Sequence, residues 1–315
     1  MVCALAASLS IPTEADAWGR RIHEIINRRA ALAVPGEAGE FWASMATELG
    51  RHASDADDRK GRDRDEPPRH FLDLDALLPY PFEGVPTDRD AWVKRFGRNE
   101  ADRWGQAPWA IDESWRMVVR ALELGDWGAA GAWAADLGHY VADTHQPLHC
   151  TKNYDGQTSG NQGVHLRFEV HMMDRHFHED SIRSMETVAI KSNPAASMFE
   201  WMRLAYPGVA TILAADDAAR TVDSDYGDRY LASLWEGTDE LAETQVSAAV
   251  ADLAALLASA WEAAGRPAPP EAVPSFRLVP VAELEAPPAA RRGFVLKAAL
   301  AAGAIVLAGL TLGAH

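Results

Sequence analysis

Apolar residues recur at intervals of three and four along most of this chain, the spacing that places them on one face of an α-helix. The clearest stretches are RRIHEIINRRAALAV, EFWASMATEL, DESWRMVVRALELG, DWGAAGAWAADLGHYVAD and the long segment from Tyr230 to Ala264. The two-residue alternation typical of a β-strand is not convincing anywhere between Gly19 and Gly265. The pattern therefore predicts an all-α fold with one multi-helix domain over residues 18–265.

Two parts of the chain interrupt this pattern. Residues 76–108 are rich in Pro, Gly and charge, which predicts a loop with one short helix around Trp92. Residues 266–292 are rich in Pro and predict an extended linker that follows the domain.

The two ends of the chain carry targeting features. Residues 1–17 are small and apolar and end in Ala-Asp-Ala, which is typical of a signal-peptidase site and predicts Trp18 as the first mature residue. A frayed N-terminus is the alternative. Residues 293–315 are almost entirely apolar, and this length predicts a transmembrane anchor, with a buried C-terminal helix as the alternative. Together the two ends predict an exported protein that is held at a membrane.

Composition limits the classes of partner and of metal ligand that this chain can use. The 46 acidic residues outnumber the 30 basic ones and give a net charge of −16, which counts against a module that binds duplex nucleic acid by its phosphates. It does not exclude a nuclease, because bound metal ions supply positive charge locally. Eleven His against two Cys indicate imidazole and carboxylate chemistry rather than a disulfide framework or a thiolate zinc site.

The segment HYVADTHQPLHC holds the densest group of candidate metal ligands. His139 and Asp143 are four residues apart, so on a helix they share one face and can reach a common cation. His149 follows beyond Pro147, and VHLRFEVH contains a second pair, His165 and Glu169, with the same spacing. One such pair alone would be a surface ion pair, but two pairs with His149 favour a metal site.

Two upstream features are weaker on their own. An acidic stretch, HASDADDRKGRDRDEPPRHFLDLD, contains Asp55, Asp57 and His70, and by itself it is a solvated run of charge. His23 lies five residues after Trp18 and by itself is a residue of the first helix.

Taken in order, these fragments resemble one family. WGRRIH, RHFLDLD, HYVADTHQPLH, NYDG and His-x3-Glu follow one another as in the zinc-dependent phospholipase C and single-strand-specific nuclease superfamily. The resemblance spans about Trp18 to Arg175. It implies a helical domain that holds three zinc ions, with the mature N-terminal Trp as one of the ligands.

The resemblance implies three ligand sets. One zinc ion would take Asp55, His70, His139 and Asp143. A second would share Asp143 and take the backbone of Trp18 and the side chain of His23, and the third would take His149, His165 and Glu169. Asp55 is preferred because its fifteen-residue gap to His70 fits the spacing in the nucleases, and Asp57 is the competing choice. Asp55 and Asp143 are accordingly the expected catalytic carboxylates.

The resemblance also implies the reaction, hydrolysis of a phosphodiester by metal-activated water. Its two branches differ in substrate. Trp-Gly-x-x-x-His and HQPLH look like the nuclease branch, whereas Glu169 looks like the phospholipase branch. The lack of a disulfide pair in the mature chain, the apolar tail and the net acidity also favour phospholipase.

We therefore expect a phospholipase C-like enzyme that acts on phospholipid. A single-strand-specific endonuclease or 3′-nucleotidase is the alternative, and a non-catalytic metal-binding module at the cell surface is a third interpretation. Four polar residues are further candidates: Arg59 or Lys60 to contact a phosphate, and Asn153 or Asn161 to orient the substrate.

Overall fold

A computed structural model describes residues 18–185 and 194–287 of the chain. The all-α prediction is confirmed over these residues, which contain no β-strand and one isolated bridge, between Leu72 and Gly105. The predicted signal peptide (1–17) and membrane anchor (293–315) lie outside the described residues.

The described residues form sixteen α-helices. In chain order they are α1 Arg20–Ala33, α2 Glu37–Ser44, α3 Ala46–Arg51, α4 Asp55–Arg59, α5 Leu74–Leu77, α6 Arg89–Phe96, α7 Arg98–Arg103, α8 Ala107–Glu123, α9 Trp127–His145, α10 Val164–Leu166, α11 Met173–His176, α12 Pro194–Ala205, α13 Gly208–Val222, α14 Asp228–Glu236, α15 Asp239–Ala263 and α16 Val281–Leu284. Short 3₁₀ turns cover Pro67–His70, Pro147–Cys150 and Glu179–Ser181, and a π-helical turn covers Arg167–Met172.

The long helical segment predicted from Tyr230 to Ala264 is two helices. α14 ends before Gly237, where an added Cβ atom would lie 2.8 Å from the Cβ of Ala215 on α13. Thr238 leaves the helical conformation with φ of −139°, and its hydroxyl donates to the carbonyl oxygen of Leu234. The break is therefore set by a close contact with α13, which periodicity along one segment does not reveal.

Helix α9 is the centre of the fold and is buried from Ala129 to His145. The side chain of Asp126 caps its N-terminus by accepting from the backbone N–H of Ala129. Small residues let the neighbouring helices come close: a Cβ atom on Gly138 would lie 2.0 Å from Oδ1 of Asn27 on α1. Helices α1, α8 and α15 pack around α9, so side chains on α9 face protein on every side.

Helix α15 is the one described helix that is long and apolar enough to cross a membrane. Its most apolar window is 61% buried inside the protein, where it packs against α1, α8 and α9. The apolar character of α15 is therefore accounted for by its place in the core.

The Pro-rich segment after Gly265 is packed on the helical domain over its described part. Val279 and Leu284 are buried in the main core, and the indole N–H of Trp133 on α9 donates to the carbonyl oxygen of Val279 at 2.9 Å. Phe276 lies so close to Gly131 that a Cβ atom there would be 2.2 Å from its ring. The packed part of the domain thus continues beyond the predicted boundary at residue 265. The reason is that these apolar side chains, which lie between prolines, pack against α8 and α9.

Candidate metal centre

Eight buried His, Asp and Glu residues gather beside α9. They form three groups in which the ligand-type atoms lie within 4.8 Å of one another: His23 with Asp57 and His139, His70 with His139 and Asp143, and His149 with His165 and Glu169. The described residues therefore contain three buried groups that could hold metal ions. Seven of the eight belong to the ligand sets expected from the resemblance.

The end of α9 places the ligands of two groups. His139 and Asp143 are one turn apart on the same face of α9. The helix ends at His145, because Gln146, the residue before Pro147, is extended, with ψ of 115°. The 3₁₀ turn that follows brings His149 back against the domain, where its side chain is buried.

The first two groups share His139 and form a continuous cluster. Nε2 of His139 lies 3.3 Å from Oδ1 of Asp57, 3.4 Å from Oδ2 of Asp143 and 3.0 Å from Nδ1 of His70. The ring of His23 on α1 stacks on the ring of His139 with centroids 4.0 Å apart. These side chains come from α1, α4, the 3₁₀ turn Pro67–His70 and α9, so the cluster depends on the tertiary fold.

Asp143 contacts histidines through both carboxylate oxygens. Its Oδ2 lies 2.9 Å from Nδ1 of His70, and its Oδ1 lies 3.5 Å from Nε2 of His23. A carboxylate that turns its two oxygens toward different imidazoles can bridge two cations.

The third group is joined to the first two through the backbone of His70, whose carbonyl oxygen lies 2.7 Å from Nδ1 of His149. Nε2 of His165 is 2.8 Å from Oε2 of Glu169 and 3.1 Å from Nε2 of His149. Glu169 sits in the π-helical turn, a local widening of the helix that is frequent at functional sites. The side chain of Gln146 donates to Oε2 of Glu169 at 2.9 Å and so fixes the carboxylate.

The structure places Asp57, and not Asp55, in the cluster, which corrects the preference for Asp55. The side chain of Asp57 is 2% exposed, whereas that of Asp55 is 49% exposed and pairs with His52 at 2.8 Å. Residues two positions apart on a helix project about 200° apart, so only one of the two can face α9. The buried residues Ala53 and Ala56 mark the inward face of this segment, and Asp57 lies on it.

Backbone carbonyls hold two of the imidazoles in place. Nδ1 of His139 lies 2.7 Å from the carbonyl oxygen of Ala53, and Nδ1 of His149 lies 2.7 Å from the carbonyl oxygen of His70. In the neutral imidazoles, an N–H at each Nδ1 leaves the lone pair on Nε2, which in both residues faces the cluster. This is the arrangement that metal-binding histidines use.

Electrostatics favour ionised carboxylates. Burial raises the pKa of Asp143 and of Asp57, but nearby histidines, His139 foremost, more than offset it and hold both pKa values well below their usual range. Burial lowers the pKa of His139, but Asp57 and Asp143 raise it to about 9. The two carboxylates thus stabilise a positive charge within a buried site.

The donor set fits a cation. Within the described part of the chain, Oδ2 of Asp57, Oδ1 of Asp143 and Oε1 of Glu169 are buried and accept no hydrogen bond. Buried carboxylate oxygens without a donor are costly unless a cation neutralises them. In the third group, the facing nitrogens of His149 and His165 add two electron-pair donors beside Glu169.

Trp18 lies between the groups and is fully buried. Its indole N–H donates to the carbonyl oxygen of Ala142, the residue before Asp143, at 2.9 Å. The backbone N–H of Gly19 donates to the carbonyl oxygen of Glu169 at 3.2 Å. The start of the described chain is therefore tied to the segments that carry ligands from two groups.

Of the two candidates for contacting phosphate, Arg59 is paired with acidic side chains. Its guanidinium pairs with both carboxylate oxygens of Asp136 and with Glu66. Lys60, in contrast, lies at the cluster, with Nζ 2.7 Å from Oδ1 of Asp57.

The two Asn candidates make hydrogen bonds that stabilise the loop in which they lie. Asn153 bonds Ser159 and Thr158 within its own loop, whereas Asn161 donates to Asp216 and Asp217 on α13. Neither asparagine is brought to the three groups by these contacts.

Three residues near the groups were not singled out by sequence reasoning: Glu66, Tyr140 and Gln146. Asp73 belongs to the acidic stretch but was assigned no role. Glu66 is four residues before His70, and this spacing was a usable signal for contact between them. Asp73 is buried, and its Oδ1 accepts no hydrogen bond from the described residues. Burial, followed by repulsion from Asp75, raises the pKa of Asp73 to about 7.

Comparison with protein-family models and with curated proteins gives no match to this chain.

Proposed function

We propose that the protein is a zinc-dependent phosphodiester hydrolase of the phospholipase C type, with three zinc ions held among the three buried groups, two of them sharing Asp143. The observation that carries the proposal is the contiguity of these groups: the first two share His139, and the third is linked to them through His70. Imidazole nitrogen and carboxylate oxygen, with no thiolate, are ligands that suit zinc. Phosphodiester hydrolysis is the reaction for which several close cations are best suited.

Different residues of the protein position the metal ligands and contact the substrate. Bound zinc supplies the positive charge that activates water and neutralises developing charge on the phosphate oxygens. Asp143 and Asp57 hold the histidines of the first two groups in register, and Gln146 fixes Glu169 in the third. Lys60, whose Nζ lies 2.7 Å from Oδ1 of Asp57 at the cluster, is the cation we assign to a phosphate oxygen of the substrate.

Two features support a lipid substrate. Glu169 occupies the position at which the resemblance separates phospholipases from nucleases. The apolar residues 293–315 would anchor the enzyme beside a bilayer and its phospholipids, after export through the leader at residues 1–17. Deleting residues 293–315 is expected to move the protein from the membrane fraction to the soluble fraction of the cell that expresses it.

One observation is compatible with the nuclease alternative as well as with the lipid substrate. Tyr154 is 50% exposed, and its ring centroid lies 5.9 Å from that of His165 in the third group. An exposed aromatic ring beside the site offers a surface on which a nucleic-acid base can stack. The same ring can also hold a quaternary ammonium headgroup by a cation–π contact.

A parallel assay tests the proposal. The purified mature chain, which begins at Trp18 and is loaded with zinc, is offered phosphatidylcholine micelles, single-stranded DNA and RNA, and its zinc content is measured by mass spectrometry. We expect about three zinc ions per chain and release of phosphocholine. Acid-soluble nucleotides with the lipid untouched would move the function to the nuclease. Zinc binding without hydrolysis of any substrate would leave a metal-binding module, and a chain that binds no zinc would overturn the proposal.

A further inference from the structure

A buried polar network stands behind the first two groups, on the side away from the ligand atoms. Its centre is Glu66, which is 4% exposed. Oε1 of Glu66 accepts a hydrogen bond from the hydroxyl of Tyr140, and Oε2 accepts from Nε of Arg59 at 3.0 Å. The guanidinium of Arg59 also binds both oxygens of Asp136. Asp136 and Tyr140 are one turn apart on α9, beside the turn that carries His139 and Asp143.

His70 is the point at which this network meets the cluster. Nδ1 of His70 faces the ligand atoms, 2.9 Å from Oδ2 of Asp143 and 3.0 Å from Nε2 of His139. Nε2, on the far side of the ring, lies 3.3 Å from Oε1 of Glu66. His139 and His149 have the opposite orientation, since each turns Nε2 toward the ligand atoms and Nδ1 toward a backbone carbonyl.

We infer that Glu66 is the positioning residue of the metal centre: the negative charge of its carboxylate, 3.3 Å from Nε2 of His70, favours the ring form with the proton on Nε2 and so favours a lone pair on Nδ1, where it faces Asp143 and His139. This inference rests on the proposed metal binding. A neutral imidazole carries its proton on one nitrogen only, and a carboxylate beside Nε2 selects the form with the proton there. A charged acceptor also makes the ring a stronger donor to a metal than a backbone carbonyl does.

The remaining contacts of Glu66 explain how it keeps its place. Tyr140 and Arg59 bind its two oxygens from α9 and α4, so that the carboxylate cannot rotate away from His70. Through Asp136, the same arginine fixes α4, which carries Asp57, against α9. One carboxylate thus orients an imidazole, and its partners align two of the helices that supply ligands.

The test compares Glu66→Ala with Glu113→Ala in the mature chain that begins at Trp18. Glu113 is the matched control, because it pairs with Arg69 in the same neighbourhood but does not contact His70. Zinc affinity is measured by competition with a chelator, and the protonated nitrogen of His70 is identified by ¹⁵N NMR of the imidazole. For Glu66→Ala we expect one of the three ions to bind about 10- to 100-fold more weakly. In the zinc-free protein we expect the His70 proton to move from Nε2 toward Nδ1, which lies 2.9 Å from Oδ2 of Asp143. Glu113→Ala should resemble the parent in both measurements.

A conservative variant covers the case in which Glu66→Ala does not fold. Glu66→Gln keeps an oxygen that can accept from Nε2 of His70 but removes the charge, so the His70 proton should stay on Nε2 while zinc binding weakens less than in the alanine variant. Unchanged zinc affinity and an unchanged His70 proton in Glu66→Ala would overturn the inference. If the parent binds no zinc, the proposed function fails, and the NMR of the zinc-free proteins still decides the role of Glu66.

Discussion

The carbonyl oxygen of His70 accepts a hydrogen bond from Nδ1 of His149 at 2.7 Å. The side chain of the same residue belongs to the group with His139 and Asp143, whereas His149 belongs to the third group. His70 therefore joins the groups through its backbone on one side and its imidazole on the other. A displacement of residue 70 would disturb both, which makes the centre one unit rather than three separate sites.

The two acidic residues of α4 should differ sharply in their effect. Asp57→Asn removes a buried charge 3.3 Å from His139, and we expect loss of zinc and a fall in hydrolysis rate of about 100-fold or more. Asp55→Asn changes an exposed side chain and should leave both within about twofold of the parent. Zinc content by mass spectrometry and initial rates measure the difference. Equal losses in the two variants would contradict the placement of Asp57.

Asp143 should be the most sensitive carboxylate, because its oxygens face His70 and His23 in different directions. Asp143→Asn keeps the size of the side chain and removes the charge that would offset two cations. We expect the zinc content to fall from about three toward one, with at least about a 100-fold loss of rate. A variant with the zinc content and rate of the parent would exclude the bridging role.

The free amino group of Trp18 is expected to matter for metal binding. The indole of Trp18 is fixed beside Asp143 through Ala142, and an amine is a far better zinc ligand than an amide nitrogen. A chain that keeps residues 1–17 should hold about two zinc ions instead of three and be less active than a chain that begins at Trp18. A chain with a single Met before Trp18 controls for length and should behave like the longer one. Three ions and full activity in the longer chain would refute this role.

Tyr154 should contribute to substrate binding under either substrate assignment. Tyr154→Ala removes the exposed ring beside His165, and we expect the KM to rise about 5- to 100-fold with a small change in kcat. Tyr154→Phe keeps the ring and should restore most of the loss. Tyr226→Ala, at an exposed tyrosine that packs on Arg167 instead, is the control. If the Tyr226 and Tyr154 alanine variants have the same KM as the parent, the ring has no role in binding.

Asp73 should make stability depend on pH. Its pKa is about 7 in the folded protein, against 3.8 in the unfolded chain. Between these values the unfolded chain has lost a proton that the folded protein keeps, so the free energy of unfolding falls as pH rises from about 4 to about 7. Asp73→Asn removes this dependence and should be more stable than the parent at pH 8, by at most about 4 kcal/mol, but not at pH 4.

Urea unfolding of chelator-treated protein at pH 4, 6 and 8 measures this effect. Asp225→Asn, at an exposed loop position, is the matched control and should follow the parent at every pH. A parallel pH dependence of Asp73→Asn and the parent would show that Asp73 titrates normally.

The local part of the centre could be predicted from sequence. Pairs such as His139 with Asp143, or His165 with Glu169, depend only on residues four apart on one helix, and helical periodicity fixes which residues share a face. The same periodicity predicted the all-α fold and the helices α1, α8 and α9, because their apolar faces recur within a single segment. Pro147 marked the end of α9 for an equally local reason, its effect on the residue before it.

The contacts between residues of different segments are determined only by the tertiary structure. Periodicity places Asp55 and Asp57 on opposite sides of α4, but the packing of α4 on α9 decides that Asp57 faces the cluster. His70 meets Asp143, and Glu66 meets Arg59 and Tyr140, because separate helices bring them together, which no spacing along the chain encodes. Likewise, Val279 and Leu284 belong to a segment that its prolines predict as linker, yet both are buried, since the surface that receives them is built by α8 and α9.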